Sequence, residues 1–381
     1  MARSQEPSSH RPYELVVDLQ HRPVVEQMLD DLGVQRSAPQ EDDVDERLGL
    51  ARLRDLTEAE GAAVEVGELI ALLRQRAARD RDGWQPLLGR NRIAHAVIGD
   101  SPAVGSDGLV GVASHKPMQG GEPAPVENPE RRGPAAPETA GSGVRIGLVD
   151  TALHPEPAPG ERPAYRTGHA TFVAGLIRRQ APAAQICAEA MLKGAEARAE
   201  SWDIARAMMR LAYGEKVHIL NLSLGSYTMA GGPPLVISRA LERLPADVLV
   251  VAAAGNHGAL PYLKSGRTKD SGCWPAAHPR SIAVGAVDAE GRQPGWSAQL
   301  PWVNYLAPGV DVVSDYFDGD VELGSTTAHF NGSATWSGTS FAAATVSGMV
   351  AAGTVPGTVS PQQALAELVK ENRVQTYPQR P

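Results

Sequence analysis

Four short runs from residue 144 onward are apolar without polar alternation: Val144 to Val149 (VRIGLV), Val217 to Leu222 (VHILNL), Val248 to Ala253 (VLVVAA) and Ile282 to Val287 (IAVGAV). Runs of this kind are strands buried on both faces, as in a parallel sheet. Helical spacing fills the intervals, over His169 to Arg179, Trp202 to Tyr213 and Pro234 to Leu244. Alternating strands and helices predict an α/β fold with a doubly wound, mostly parallel sheet. Near the end, SPQQALAELVKEN puts Ser360 at an N-cap, Pro361 at N1 and Gln363 at N3, which predicts a closing helix.

The first hundred or so residues are patterned differently. Tyr13 to Leu19 (YELVVDL) alternates like a strand, and Pro23 to Leu32 has helical spacing with proline near its start. Glu65 to Arg79 predicts a second helix and Arg92 to Ile98 a last strand, while the acidic run Glu41 to Glu46 is expected as a solvated loop. The pattern therefore predicts a small α+β N-terminal module over residues 1–110. Composition then breaks: KPMQGGEPAPVENPERRGPAAPETAGSG holds six prolines and almost no large apolar side chain. Residues 111–143 are expected to be an extended, mobile joint, and 144–381 the larger domain.

The charge of −8 excludes a broad basic surface, so neither nucleic acid nor an anionic membrane is expected as a partner. No apolar run approaches the roughly 18 residues needed to span a bilayer. The first residues (MARSQEPSSHRPYELVVDL) lack an apolar signal-peptide core, and two cysteines make no disulfide framework. These features favour a cytoplasmic location.

Chemistry in doubly wound folds collects beyond the carboxyl ends of the strands. Asp150 stands there, directly after VRIGLV, either as a turn-former or as a functional anion. His169 opens a helix in TGHATFVAG, and beside a strand-end carboxylate it would be an oriented base. Ser340, in WSGTSFAAATVSG, begins a helix of small residues; it is a good N-cap, or a nucleophile whose own backbone N–H can meet an oxyanion. Asn256 follows AAAG at a strand end, where it makes a turn or supplies a second oxyanion donor.

In order, these motifs resemble the subtilisin-like serine proteases (subtilases), over about Val144 to Ala352. NLSLGS (221–226), PAAHPRSIAVGAVD (275–288) and NYLAPGVDVVS (304–314) are similar as well. The resemblance implies an Asp150–His169–Ser340 triad, an oxyanion hole from Asn256 and the Ser340 amide, and hydrolysis of peptide bonds. It also implies that Ser223, Leu224 and Gly225 form an edge on which a protein or peptide substrate pairs as an extended strand. With Ala253, Ala254 and Gly255 they would wall the P1 pocket. Ala152, Ala170 and Ala344 depart from the family pattern without removing a reacting atom. The loop from Asp150 to His169 is short for the calcium that the family often binds nearby, so no metal and no cofactor is expected.

Other residues carry less. His257 is expected as a rim residue, Cys273 and His278 are too few for a metal site, Cys187 is a buried filler, and Met208 and Met209 are not a cofactor box. The leading expectation is a serine endopeptidase that processes a restricted intracellular substrate. The N-terminal module then either enters the cleft as a propeptide or recruits a partner. The rival is a pseudoprotease, a peptide-binding module that uses the cleft without cleavage. An α/β-hydrolase is excluded, because its nucleophile precedes the acid and the histidine whereas Ser340 comes last.

Overall fold

β1 (His10–Asp18) alternates apolar side chains to opposite faces, and both faces are covered. Leu15 and Val17 pack with Leu29 of α1 (Arg22–Asp31), whereas Val16 joins a cluster made largely by the following domain. The computed structural model describes residues 10–96, 121–126, 136–155, 160–228, 232–259 and 269–378. After α1 come β2 (Val44–Asp45), β3 (Leu50–Leu53), α2 (Val66–Asp80) and β4 (Leu88–Ala96). β1 lies between β3 and β4, antiparallel to both. The acidic run is not a solvated loop. Residues Glu41–Asp43 form a 3-10 turn, and Asp43 is buried against the guanidinium groups of Arg52 and Arg54, whose charge offsets its desolvation.

Within the stretch expected to be mobile, two pieces are docked. β5 (Ala124–Pro125) pairs with a later strand, and Ala136 donates its N–H to Arg179 O. Residues 111–120 and 127–135 lie outside the described residues, as do Val97 and Ile98 of the expected final strand.

The larger domain begins with β6 (Arg145–Asp150), α3 (His169–Gln180), β7 (Gln185–Ala190), β8 (Arg198–Glu200) and α4 (Ser201–Met209). It continues through β9 (Ile219–Leu222), β10 (Leu224–Tyr227), α5 (Leu235–Arg243), β11 (Leu249–Ala253), β12 (Cys273–Trp274) and β13 (Ser281–Val287). The last elements are β14 (Tyr305–Pro308), β15 (Val312–Leu323), β16 (Thr326–Trp336), α6 (Thr339–Gly353), α7 (Pro361–Lys370) and β17 (Gln375–Thr376). The central sheet runs β17-β14-β13-β11-β9-β6-β7, parallel except at β17. The expected capping box forms at α7, with Ser360 and Gln363 exchanging side-chain and backbone bonds. α6 crosses the core; its small side chains let it approach β13 and α3, and Gly348 leaves no room for a Cβ beside the Ile177 carbonyl.

The module and the domain share a second sheet, in the order β12-β10-β4-β1-β3-β2, with β8 on the other side of β4. Its inner face packs on α4 and α5, where Val16, Leu50 and Ala94 meet Trp202, Val236 and Leu241. Arg239 of α5 reaches back to Asp18 (2.9 Å) and to the Leu48 carbonyl (3.2 Å).

Burial pushes the Asp18 pKa up, but the Arg239 hydrogen bond, the Gln20 N–H and the Arg239 charge outweigh it and leave it below the usual value. A lowered carboxylate pKa stabilises the docked state fully above the ordinary carboxylate range, and that contribution is lost as pH falls through the lowered value. Docking of the module on α5 is therefore expected to weaken below about pH 4. Hydrogen exchange at β1 between pH 2.5 and 6 should show this, and Asp18→Asn should flatten that part of the profile.

Candidate active site

Going from β6, the chain turns to β7 on one side and returns to β9 on the other, so the strand order reverses at β6. Such a switch point opens a crevice at the carboxyl edge. Asp150 ends β6 at this point, and Ser223 follows β9 directly beside it. Asp150 is fully buried. Its Oδ1 accepts the Thr151 N–H at 2.7 Å, and its two oxygens lie 2.7 and 2.9 Å from His169 Nδ1. A carboxylate can only accept, so this contact puts the imidazole proton on Nδ1 and the lone pair on Nε2.

His169 is the first residue of α3 and has no exposed surface. Ala170 N donates to Thr151 Oγ1 at 3.0 Å, tying the helix start to the loop after β6. Gly168, just before it, is required: a Cβ there would come within 2.5 Å of Tyr316 and 2.7 Å of Phe317. Trp336 stands edge-on to the imidazole at 6.0 Å and Phe341 lies tilted at 5.6 Å, with Phe172 behind. These rings exclude water from the histidine. Its Nε2 is buried and makes no hydrogen bond among the described residues.

Ser340 is the second residue of α6, after Thr339, so it is not the N-cap; Gly338 takes that position. Its hydroxyl donates to the Ser223 carbonyl at 3.0 Å, and Ser223 Oγ donates to the Ser340 carbonyl at the same distance. Asn221 and Ser347 extend this contact into the core: Asn221 donates to Ser223 Oγ and accepts from Ser347 Oγ. Asn256 is held from behind, its Oδ1 accepting from Thr339 N at 3.0 Å and Thr339 Oγ1 at 2.9 Å. These two bonds engage the carbonyl end and fix the orientation of the carboxamide. Gly255 N in turn donates to Thr339 Oγ1 at 3.0 Å.

Of the expected pocket wall, Ala253 packs in the main core and Ala254 in a separate cluster with Val287, Ala298 and Val303. These two side chains are therefore taken up by the cores behind the wall, which leaves backbone to face the cleft. Gly255, at φ +102°, could not carry a side chain, because a Cβ would fall 2.6 Å from His257 Nδ1. His257 is not on the rim as expected. It is fully buried, with Nδ1 3.3 Å from Tyr227 Oη and Nε2 2.8 Å from the Ser271 carbonyl, because the loop after β11 folds over it. Cys273 and His278 do not come together, and the described residues contain no group of three or more potential metal ligands. Cys187 is buried as expected, though beside Arg145 and Glu215 rather than in a wholly apolar site.

The edge formed by 224–225 is already paired. β4 lies antiparallel to β10, Ala96 opposite Leu224 and His95 opposite Gly225. On its other side β4 pairs with β8, Ala94 opposite Ala199. Neither β8 nor Thr339 is visible in the sequence pattern: β8 is three residues (RAE) and Thr339 reads as part of the helix start.

The Subtilase family model matches residues 141–370, well over half of the chain. Subtilisin BL of Lederbergia lenta is 32% identical over 212 residues, 50% of this chain and 71% of its own. Subtilisin E of Bacillus subtilis (strain 168) is 30% identical over 196 residues, 46% of this chain and 49% of its own. Fervidolysin from Fervidobacterium pennivorans, a keratinolytic enzyme related to subtilisin, covers 96% of this chain and 58% of its own at a TM-score of 0.59 and 17% identity, a likeness of fold. The chain belongs to the subtilase family and is a subtilisin-like serine peptidase.

Asn256→Leu is expected to lower kcat by about 10²–10³ with KM little changed. Thr339→Val, which removes the Oγ1 bonds to Asn256 and Gly255 but keeps the one from the Thr339 N–H, should cost about tenfold, one to two lost hydrogen bonds. Steady-state kinetics on one peptide substrate measures both.

Proposed function

We propose that residues 144–381 hydrolyse peptide bonds through Asp150, His169 and Ser340, with Asn256 and the Ser340 amide as the oxyanion hole. Residues 1–110 are proposed as a module that occupies the same cleft and 111–143 as the tether. The observation that carries the reading is the buried Asp150–His169 pair, set with its orphan Nε2 at the switch point where Ser340 also lies. A buried polar atom without a partner is costly unless a partner arrives, which suits a base that waits for a proton.

Register supports a mechanism. Ala96 N donates to Ala197 O, toward β8. Neighbouring N–H groups in a strand point to opposite sides. A substrate strand that keeps β4's register therefore turns its next N–H toward β10, opposite Ser223. That N–H claims the Ser223 carbonyl and releases Ser340 Oγ to turn to His169 Nε2. His169 takes the hydroxyl proton as Ser340 attacks the carbonyl of the residue opposite Ser223. Asp150 stabilises the resulting imidazolium, and the proton then passes to the leaving amine. Substrates are peptide chains able to displace β4, a requirement that favours a restricted set.

Wild-type protein should react with a fluorophosphonate at Ser340 and release an N-terminal fragment cut between residues 90 and 143. Ser340→Ala should do neither and stay full length. Folded wild-type protein that takes no label would leave only the peptide-binding alternative.

A further inference from the structure

Asn91 has no exposed surface, although it sits between two polypeptide units at the amino end of α4. Its carboxamide is fully engaged. Oδ1 accepts from Ser201 Oγ at 3.0 Å and from the Trp202 N–H at 3.1 Å. Nδ2 donates to Glu200 Oε2 at 2.8 Å and to Glu14 Oε2 at 2.7 Å. Glu14 belongs to the module, but the other three partners belong to the catalytic domain. α4 has no side-chain cap of its own, since Glu200 at its N-cap makes none. The cap comes from Asn91.

These three groups are complementary to a primary carboxamide and to little else. Two donors face the carbonyl oxygen and one carboxylate faces the amino group. An aspartate in the same place would satisfy the donors but set its second oxygen against Glu200. An aliphatic side chain would leave buried donors unsatisfied, which costs more than the bonds themselves are worth. Ser201 Oγ also accepts the backbone N–H of Arg92 at 3.0 Å, so one hydroxyl contacts both the main chain and the side chain of the bound strand. Glu200 pairs through its backbone with Ile93, which makes this corner continuous with the β8–β4 ladder.

We propose that Glu200, Ser201 and the Trp202 N–H form an extended subsite that selects an asparagine side chain in substrates, far upstream of the bond that is cut. It rests on the reading above that β4 holds the place of a substrate strand. In that register Asn91's place lies six residues before the residue opposite Ser223. The strand pairing with β10 and β8 is thus joined to a side-chain contact at the far end of the same sheet.

The test uses full-length protein and a fluorogenic peptide with the sequence of residues 88–101, together with its Asn91→Asp, Asn91→Leu and Asn91→Gln forms. All four are assayed on one preparation, so any module still in the cleft lowers every value alike, and mass spectrometry locates the cut. The parent should show a kcat/KM about tenfold or more above both the Leu and the Asp peptides, the worth of one to two hydrogen bonds. Glutamine, one methylene longer, should fall between. In Glu200→Gln protein the discrimination between Asn and Asp should shrink, whereas that between Asn and Leu should persist. Equal kcat/KM for Asn, Asp and Leu would overturn the subsite while leaving the protease reading standing. A parent peptide left uncut by folded protein would overturn the protease reading, and the subsite with it.

Discussion

β4 threaded between β8 and β10 is the contact on which the joining of the two sheet portions and the proposed chemistry depend. β8 has three residues and β10 four, too short to hold an edge in water without a partner. Antiparallel pairing with β4 supplies the partner and fuses the module's sheet to the domain's cleft wall. The interface beneath is polar as well as apolar: Arg52, nearly buried, lies over Trp202 and 3.5 Å from Glu200, and Trp202 Nε1 donates to the Asp42 carbonyl. Buried polar contacts of this kind contribute less to net affinity than to fixing one orientation and register. In the proposed mechanism, where the cleft recognises a strand by its backbone, register is the quantity that matters most. Because β4 is part of the same chain, any peptide in solution competes with it at a disadvantage in effective concentration.

The chemical groups sit where they do because the central sheet reverses its winding at β6. Asp150 and Ser223 end neighbouring strand positions there, and α3 and α6, packed in one core, start with His169 against Phe341, the neighbour of Ser340. Close approach of these two helices is possible because α6 is almost entirely small: Ala342, Ala343 and Ala344 are all fully buried. The alanines at 170 and 344 that depart from the family pattern are themselves buried parts of this contact. Both fill space in the main core.

The buried parallel strands were readable because they are apolar on both faces, and the helices because their faces repeat; their ends fall within a few residues of the expected positions. Asp150, His169, Asn256 and Ser340 were readable only as an ordered set, since each alone suits a turn or a cap. What the pattern hid is long-range pairing. β8 has no hydrophobic signature, because its role is to offer backbone to a neighbour more than a hundred residues earlier in the chain. The acidic run looked solvated because its partners, Arg52 and Arg54, are on the next strand, and burial of Asp43 depends on that fold-back. His257 looked like a rim residue because nothing local indicates that Tyr227 and the Ser271 carbonyl will enclose it. Asn91 lies in a continuous polar run, Arg90-Asn91-Arg92, and its four partners are spread over two units.

Two atoms of the crevice are provisionally placed. His169 Nε2 has no partner among the described residues, and Ser340 Oγ is bonded to a carbonyl that a paired strand would need. Each arrangement costs something alone, the first through an unsatisfied buried acceptor and the second by keeping the hydroxyl away from the base. In the proposed mechanism a peptide strand laid along β10 would relieve both together: its N–H would take the Ser223 carbonyl, and the displaced hydroxyl would turn to the imidazole. On that proposal, correct backbone register would do more than hold the substrate, because it would assemble the nucleophile–base pair. Contacts as distant as the carboxamide site at α4 can thus raise the rate of a step they do not touch, provided they help to hold that register.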